Sequence, residues 1–437
     1  MNGFEILNNL KKLKDISKIK DVEPLSNALF PGYHCPLMGA LLTIKEIKDA
    51  VLLVLGPDEC TYYSKMATGI AGSVRVPGTI DTTNSIAGNI VSVVLDGHDV
   101  TFGCKEKLDE AFAELIEERK PKTVFIITTC IIEVTGDDID SIAELLKDKY
   151  NINVEVIHAE NFKTDDHLPG IQDSMSACIG LMQPQICDES INILGQRLGD
   201  FKQTEVFKIL TNLGIKKGLQ LPGECDLEEI RQAPKAKVNL VVHPIGLPLA
   251  KKMKTLFGTP YVIFERYSKP ENILEAYEDL FKILGKDIPP VIQELFIYCK
   301  QQEENIKKLV NGLTYYCGNS ALSNFELNSY LLDLGLKPLL IQVSDIPNKK
   351  DRFLKEVLDK SNPYITRSAN IGPLRYLYNI LTPDFNIGVG NSMILKKNKI
   401  APVSLTNSYN ILGFEVNTMI LNSLIKSKEI LIKLKGE

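Results

Sequence analysis

The sequence predicts an α/β protein whose parallel sheets are covered by helices on both faces. Two observations carry this expectation: a strand, helix, strand rhythm between residues 105 and 157, and the return of the same rhythm twice more along the 437 residues. A chain of this length holds two or three domains on the usual prior of roughly 100–200 residues each.

An apolar run at 51–55 reads as the first strand. Leu108, Ala111, Phe112, Leu115 and Ile116 then share one face of a helix over 105–120. The run at 124–127 is the next strand, and after Cys130 the step Gly136-Asp137-Asp138 caps a helix whose Ile139, Ile142 and Leu146 share a face. The strand at 154–157 completes the unit, with right-handed crossovers expected throughout. A second group has strands at 190–194, 215–221 and 238–242, the last before His243-Pro244. The long amphipathic stretch 290–310 lacks strand character and reads as a connecting helix. Strands at 314–317, 338–343 and 386–389 form a third group. Three Rossmann-like domains, at 1–170, 171–311 and 312–437, fit this pattern better than one large sheet.

Composition sets further bounds. With 44% hydrophobic and 24% charged residues the chain is ordinary for a globular protein, and a net charge of −5 argues against general nucleic-acid binding. No apolar run approaches the ~18 residues that span a membrane, and the lysine-rich start has no signal core, so a cytoplasmic protein is expected. Nine cysteines without a secretion signal read as thiols in a reducing compartment. No CxxC pair occurs, which argues against ferredoxin-type ligation and zinc ribbons; a metal site must be assembled from distant segments. Gly388-Val389-Gly390 lacks the rest of a dinucleotide fingerprint, and Gly285-Lys286-Asp287 is no P-loop, so any ATP is bound by another protein.

Three cysteines stand apart from the rest: Cys35 before Pro36, Cys60 in Gly56-Pro57-Asp-Glu-Cys60, and Cys130 in Thr128-Thr-Cys130. Ligands in parallel α/β sheets collect at the carboxyl ends of strands, and Cys60 and Cys130 both lie in loops just after strands, with Cys35 able to reach that edge. Three such thiolates supply three corners of an iron–sulfur cubane. Cys299, three residues after Phe296, reads as helix packing, and Cys178, Cys187, Cys225 and Cys317 have packing as their default. Cys104 stands before a helix, where either packing or a lowered-pKa thiol is open. Asp137 and Asp138 read as cap and first-turn carboxylates, and Asp58 and Glu59 as solvent-facing. His34 is either an exposed loop residue or a donor to a cluster sulfur. Lys11, Lys12, Lys14, Lys18 and Lys20 read as a solvated helix face or a dock for an acidic partner.

These motifs resemble component 1 of nitrogenase and its relatives, which include cofactor-assembly scaffolds, protochlorophyllide reductases and related tetrapyrrole and organosulfur reductases. The resemblance rests on Cys35, Gly56-Pro57-x-x-Cys60, Phe102-Gly103 and Thr128-Thr-Cys130-x-x-Glu-Val-x-Gly-Asp-Asp138, the last nearest the β subunit of the molybdenum–iron protein. It continues more weakly through Asn239–His243 and Phe257-Gly-Thr-Pro260 to residues 383–390. It implies three Rossmann-like domains, an iron–sulfur cluster ([4Fe–4S] or P-cluster-like [8Fe–7S]) held by Cys35, Cys60 and Cys130 at a subunit interface, an ATP-hydrolysing iron protein as electron donor, and a homodimer mate or second component 1 subunit. The family's cofactor-bearing subunit uses a cysteine in domain two and a histidine in domain three. Here Val242-His243-Pro244 occupies the first place and no histidine follows His243, so that cofactor is not expected in the usual manner. His243 is either a backbone-satisfied strand-end residue or a substrate contact. The leading reading is a reductase passing electrons from the iron protein through the cluster to a small-molecule or tetrapyrrole substrate. The alternative is a scaffold that holds and passes on a cluster precursor without turnover, and a third is a cluster-free binding protein.

Overall fold

A computed structural model describes residues 2–26, 35–67, 89–164, 166–318, 320, 322–367 and 372–436. It has parallel sheets layered between helices, as the sequence predicts, gathered in two compact units. One contains the described parts of Pro31–Arg197 and Gly214–Ile263; the other those of Met1–Phe30, Leu198–Leu213 and Phe264–Glu437.

The first of these units holds two four-stranded parallel sheets. One runs Ile90–Val94, Ala50–Gly56, Thr123–Ile127, Asn153–Ile157 across the sheet, with Val54 opposite Ile127. The two central strands, Ala-Val-Leu-Leu-Val-Leu-Gly and Thr-Val-Phe-Ile-Ile, are buried at every position because both faces are covered. Alternate residues feed different cores. Leu52, Val54, Phe125 and Ile127 pack with the helices Pro36–Ile44 and Leu168–Ala177. Val51, Leu53, Leu55, Val124 and Ile126 pack with Leu108, Phe112 and Leu115 of Lys105–Arg119 and with Ile139, Ile142 and Leu146 of Ile139–Tyr150. Each fully buried side chain of this kind contributes about 1.5–3 kcal/mol through removal of apolar surface from water.

The second sheet of this unit runs Tyr261–Ile263, Val238–Val241, Ser190–Leu194, Lys216–Leu221, also all parallel. A short parallel pair joins Ile47–Lys48 to Cys225–Asp226.

In the other unit a six-stranded sheet runs Lys11–Lys12, Tyr364–Thr366, Lys337–Gln342, Thr314–Cys317, Phe385–Ile387, Ala401–Val403, parallel except for the antiparallel amino-terminal edge. Lys11 and Lys12 are therefore an edge strand and not a helix face; Lys12 Nζ lies 5.2 Å from the Tyr364 ring centroid. Lysines on a sheet edge discourage pairing with other chains. Helix Pro290–Val310, read from the sequence as a connector, packs along Pro270–Leu284 and Phe414–Lys435 within this unit. No helix among the described residues is long and apolar enough to cross a membrane.

Candidate iron–sulfur site

The register of the first sheet puts the loop after Ala50–Gly56 and the loop after Thr123–Ile127 at the same edge, because the two strands are parallel neighbours. Cys60 and Cys130 lie just beyond those strand ends. The sequence places both in loops, yet each belongs to the first turn of a helix, Asp58–Ala67 and Cys130–Thr135. Cys35 likewise caps the helix Pro36–Ile44, with extended backbone (φ −80°, ψ 135°) ahead of a proline at the first helical position. The loops are short because the chain turns directly from strand to helix.

Helix Pro36–Ile44 is held by a close crossing with Leu168–Ala177. A Cβ on Gly39 would lie 2.0 Å from the His167 carbonyl oxygen, and one on Gly170 1.8 Å from that of Pro36. Only glycine permits this approach, and it fixes the position of Cys35. At the Cys60 loop, a Cβ on Gly56 would meet Thr129 Oγ1 at 2.4 Å, so the residue before Cys130 is wedged against the strand end that leads to Cys60.

All three thiols are half-buried, and Cys35 and Cys60 pack against the same apolar core. Burial pushes the Cys35 thiol above its ordinary value, with the Cys130 charge adding to it and the Leu37 and Met38 backbone N–H groups opposing. Burial pushes Cys60 up to about 11, with the charges of Cys35, Cys130 and Glu59 adding. Cys35 thus feels the Cys130 charge and Cys60 those of both, an effect that a cationic iron core between them would reverse. Among the described residues no group of three His, Cys, Asp or Glu side chains is gathered as a single ion's ligands. A cluster differs in that each thiolate binds a separate iron.

The donor set fits such a group in a second respect. Thr61 and Thr129, next in sequence to Cys60 and Cys130, have buried hydroxyls with no hydrogen-bond partner among the described residues. Sequence reasoning missed them, since nothing distinguishes a threonine that packs from one that donates.

It also missed the support behind Cys130. Thr128 donates its hydroxyl hydrogen to Glu133 Oε1 and accepts from Ala159 N at 3.3 Å. Glu133 Oε1 lies 2.7 Å from His158 Nδ1, and Asp140 Oδ2 3.2 Å from His158 Nε2. Burial pulls the His158 pKa down, but the Glu133 and Asp140 carboxylates outweigh it and raise it above the usual value. Downstream, Asp138 caps Ile139–Tyr150 by accepting from Ser141 N at 3.1 Å, as expected. Asp137 turns the other way: it accepts from Thr135 Oγ1 at 2.8 Å and from Cys104 N at 3.4 Å, tying the Phe102-Gly103 turn to the Cys130 segment.

Other sequence candidates separate from the site. Cys104 is fully buried among Leu108 and Phe112, its thiol pushed up to about 11 by burial and by Asp137, so packing is its role. Cys178, Cys225, Cys299 and Cys317 are buried, but Cys187 is exposed, which corrects its reading as a packed residue. Asp58 and Glu59 are exposed. His243 Nδ1 accepts from Ile245 N at 3.3 Å, capping the turn after its strand. His34 lies outside the described residues.

Residues 35–414 match the family described as nitrogenase component 1 type oxidoreductase. The chain belongs to this family. It is 29% identical over 355 residues to the nitrogenase iron-molybdenum cofactor biosynthesis protein NifE of Clostridium pasteurianum, covering 76% of this chain and 74% of that protein. It is 26% identical over 288 residues to the nitrogenase molybdenum-iron protein alpha chain of the same organism, covering 63% of this chain and 53% of that one. The fold is that of the structure titled nitrogenase Cp1 at pH 6.5, with a TM-score of 0.72, 14% identity, and 95% and 96% of the two chains covered.

Proposed function

We propose that this component 1-type chain is a scaffold for metallocluster assembly, holding an iron–sulfur cluster through Cys35, Cys60 and Cys130 and passing a cluster precursor on. What supports this reading is that Cys60 and Cys130 follow neighbouring parallel strands at one edge of the first sheet, and that Cys35 and Cys60, half-buried, both feel the charge of Cys130. Similarity to NifE favours the scaffold over the reductase as the leading reading. The absence of any histidine after His243 suits a scaffold and a β-type subunit alike and does not separate them.

The cluster, when bound, supplies the redox and iron–sulfur chemistry; the protein contributes ligation, burial and distance control. Three thiolates leave ligand positions to be filled, by a second component 1-type subunit, a homodimer mate or a non-cysteine group. Electrons would come from a separate ATP-hydrolysing iron protein, and the assembly would be cytoplasmic.

Anaerobic iron analysis with EPR on the wild type and on Cys35→Ala, Cys60→Ala and Cys130→Ala tests the site. The expected result is about 4 or more Fe per chain or chain pair in the wild type, with the EPR signal lost or altered in each variant. A colourless wild type, or a normal signal in all three variants, overturns it. Similarity to an alpha chain keeps the reductase as a second reading. Steady product formation with ATP consumption alongside an iron protein would establish the reductase; none is expected of the scaffold.

A further inference from the structure

Thr61 is 2% exposed and Thr129 1% exposed, and among the described residues neither hydroxyl has a hydrogen-bond partner. Leaving a buried hydroxyl unpaired costs about 1–3 kcal/mol, so native chains rarely do it without an acceptor to come. Each of the two is adjacent in sequence to a candidate ligand, Cys60 and Cys130, on segments that follow neighbouring parallel strands. Thr129 is also fixed in place: its Oγ1 and Cγ2 would lie 2.4 and 2.5 Å from a Cβ at Gly56, so the side chain fills the notch that this glycine leaves open. Thr128, one residue earlier, is by contrast engaged with Glu133 and Ala159. Its neighbour's unpaired hydroxyl is therefore not a general property of this turn.

The acceptors missing among the described residues are of the kind an iron–sulfur group brings. Sulfides and thiolate sulfurs carry negative charge, and hydrogen bonds to charged acceptors are the stronger class. Such bonds favour the cluster state with one more electron, because its sulfurs are more negative, and so raise the reduction potential. Resting on the cluster reading above, we infer that Thr61 and Thr129 donate their hydroxyl hydrogens to sulfur atoms of the bound cluster and thereby set its reduction potential. Both are positioning residues that act on the cluster's electronics without ligating iron.

The test compares Thr61→Val, Thr129→Val, the double variant and Thr129→Ser, purified anaerobically from the full chain with its partner subunit. EPR-monitored titration with dithionite should show a potential more negative than wild type in each valine variant, more so in the double variant, with Thr129→Ser near wild type. Iron content separates this from failure of the cluster itself: a wild type without iron rejects the cluster reading, whereas unchanged potentials at wild-type iron content reject only the donation. Loss of iron in Thr129→Val with retention in Thr129→Ser supports donation, since the hydroxyl is what the serine restores; loss in both overturns it. In the iron-free chain the valine variants should unfold at the wild-type temperature or above, because they remove an unpaired hydroxyl. A marked fall would assign the hydroxyls a structural role and overturn the inference.

Discussion

Glu205 and Glu415 cap each other's helices. Glu415 Oε2 accepts from Glu205 N at 3.0 Å, and Glu205 Oε2 accepts from Glu415 N at 3.2 Å, joining the starts of Glu205–Asn212 and Phe414–Lys435. Glu205 Oε1 also accepts from Tyr277 Oη at 2.7 Å and from Phe414 N at 3.1 Å.

Burial pushes the Glu205 carboxyl up to about 7, against the pull of Tyr277 and Phe414 and with the Glu415 charge adding. Its folded-state pKa is thus above the unfolded value of 4.5. Below pH 4.5 both states are protonated and its contribution is fully present. As pH rises from about 4.5 through about 7 the unfolded chain releases the proton first, and stability falls. The loss from this one residue is of order 3 kcal/mol. Denaturant midpoints at pH 5 and pH 8 should therefore fall less steeply in Glu205→Gln than in the wild type. Equal slopes would show that Glu205 is ionised in the folded chain.

The His158–Glu133 contact predicts a titration shift. The histidine should titrate above 6.5 by NMR in the wild type and lower in Glu133→Gln, where the charge is gone. The contact then stabilises the chain below pH 6.5 and ceases to do so as pH rises through the elevated value. Glu133→Ala leaves the Thr128 hydroxyl only the Ile157 carbonyl oxygen, 3.3 Å away, as acceptor and should cost about 0.5–1.5 kcal/mol in chemical denaturation.

Gly39 and Gly170 predict a steric effect on the site. Gly39→Ala places a methyl 2.0 Å from a backbone oxygen that cannot move aside cheaply. It should destabilise by about 3 kcal/mol or more and lower iron retention through Cys35. Gly97→Ala, with nothing within 4 Å of the added carbon, should change stability by less than about 1 kcal/mol in chemical denaturation.

Cys104 gives a control for ligation. Cys104→Ala opens a small void beside Leu108 and Phe112 and should cost about 1–2 kcal/mol while leaving iron content and EPR unchanged. Loss of the cluster signal in a folded Cys104→Ala chain would move this residue into the site.

The parts legible in the sequence are those where burial on both faces writes a continuous apolar run, as in Ala50–Gly56 and Thr123–Ile127. Strands that are partly exposed or very short left little trace. Ile90–Val94 is partly exposed along most of its length, and Tyr261–Ile263, Tyr364–Thr366 and Ala401–Val403 span three residues each, too few to show a period. The three cysteines stand out in the sequence because their flanking motifs are local. Glu133 and His158 were not: they are 25 residues apart in the chain, and they meet only because the adjacent strands Thr123–Ile127 and Asn153–Ile157 end side by side. Nor does any local pattern announce that Gly39 faces the backbone of His167.

The pairing of Lys11 with Ile365 sets an order on synthesis. A ribosome adding about 5–20 residues per second needs roughly twenty seconds to a minute to travel between them. During that interval the start of the chain has no strand to join, and Ile6, Leu10 and Leu13, buried in the finished protein, have no core to enter. Residues 6–13 are thus made long before they can settle, and the lysines beside those apolar positions keep the waiting segment in water.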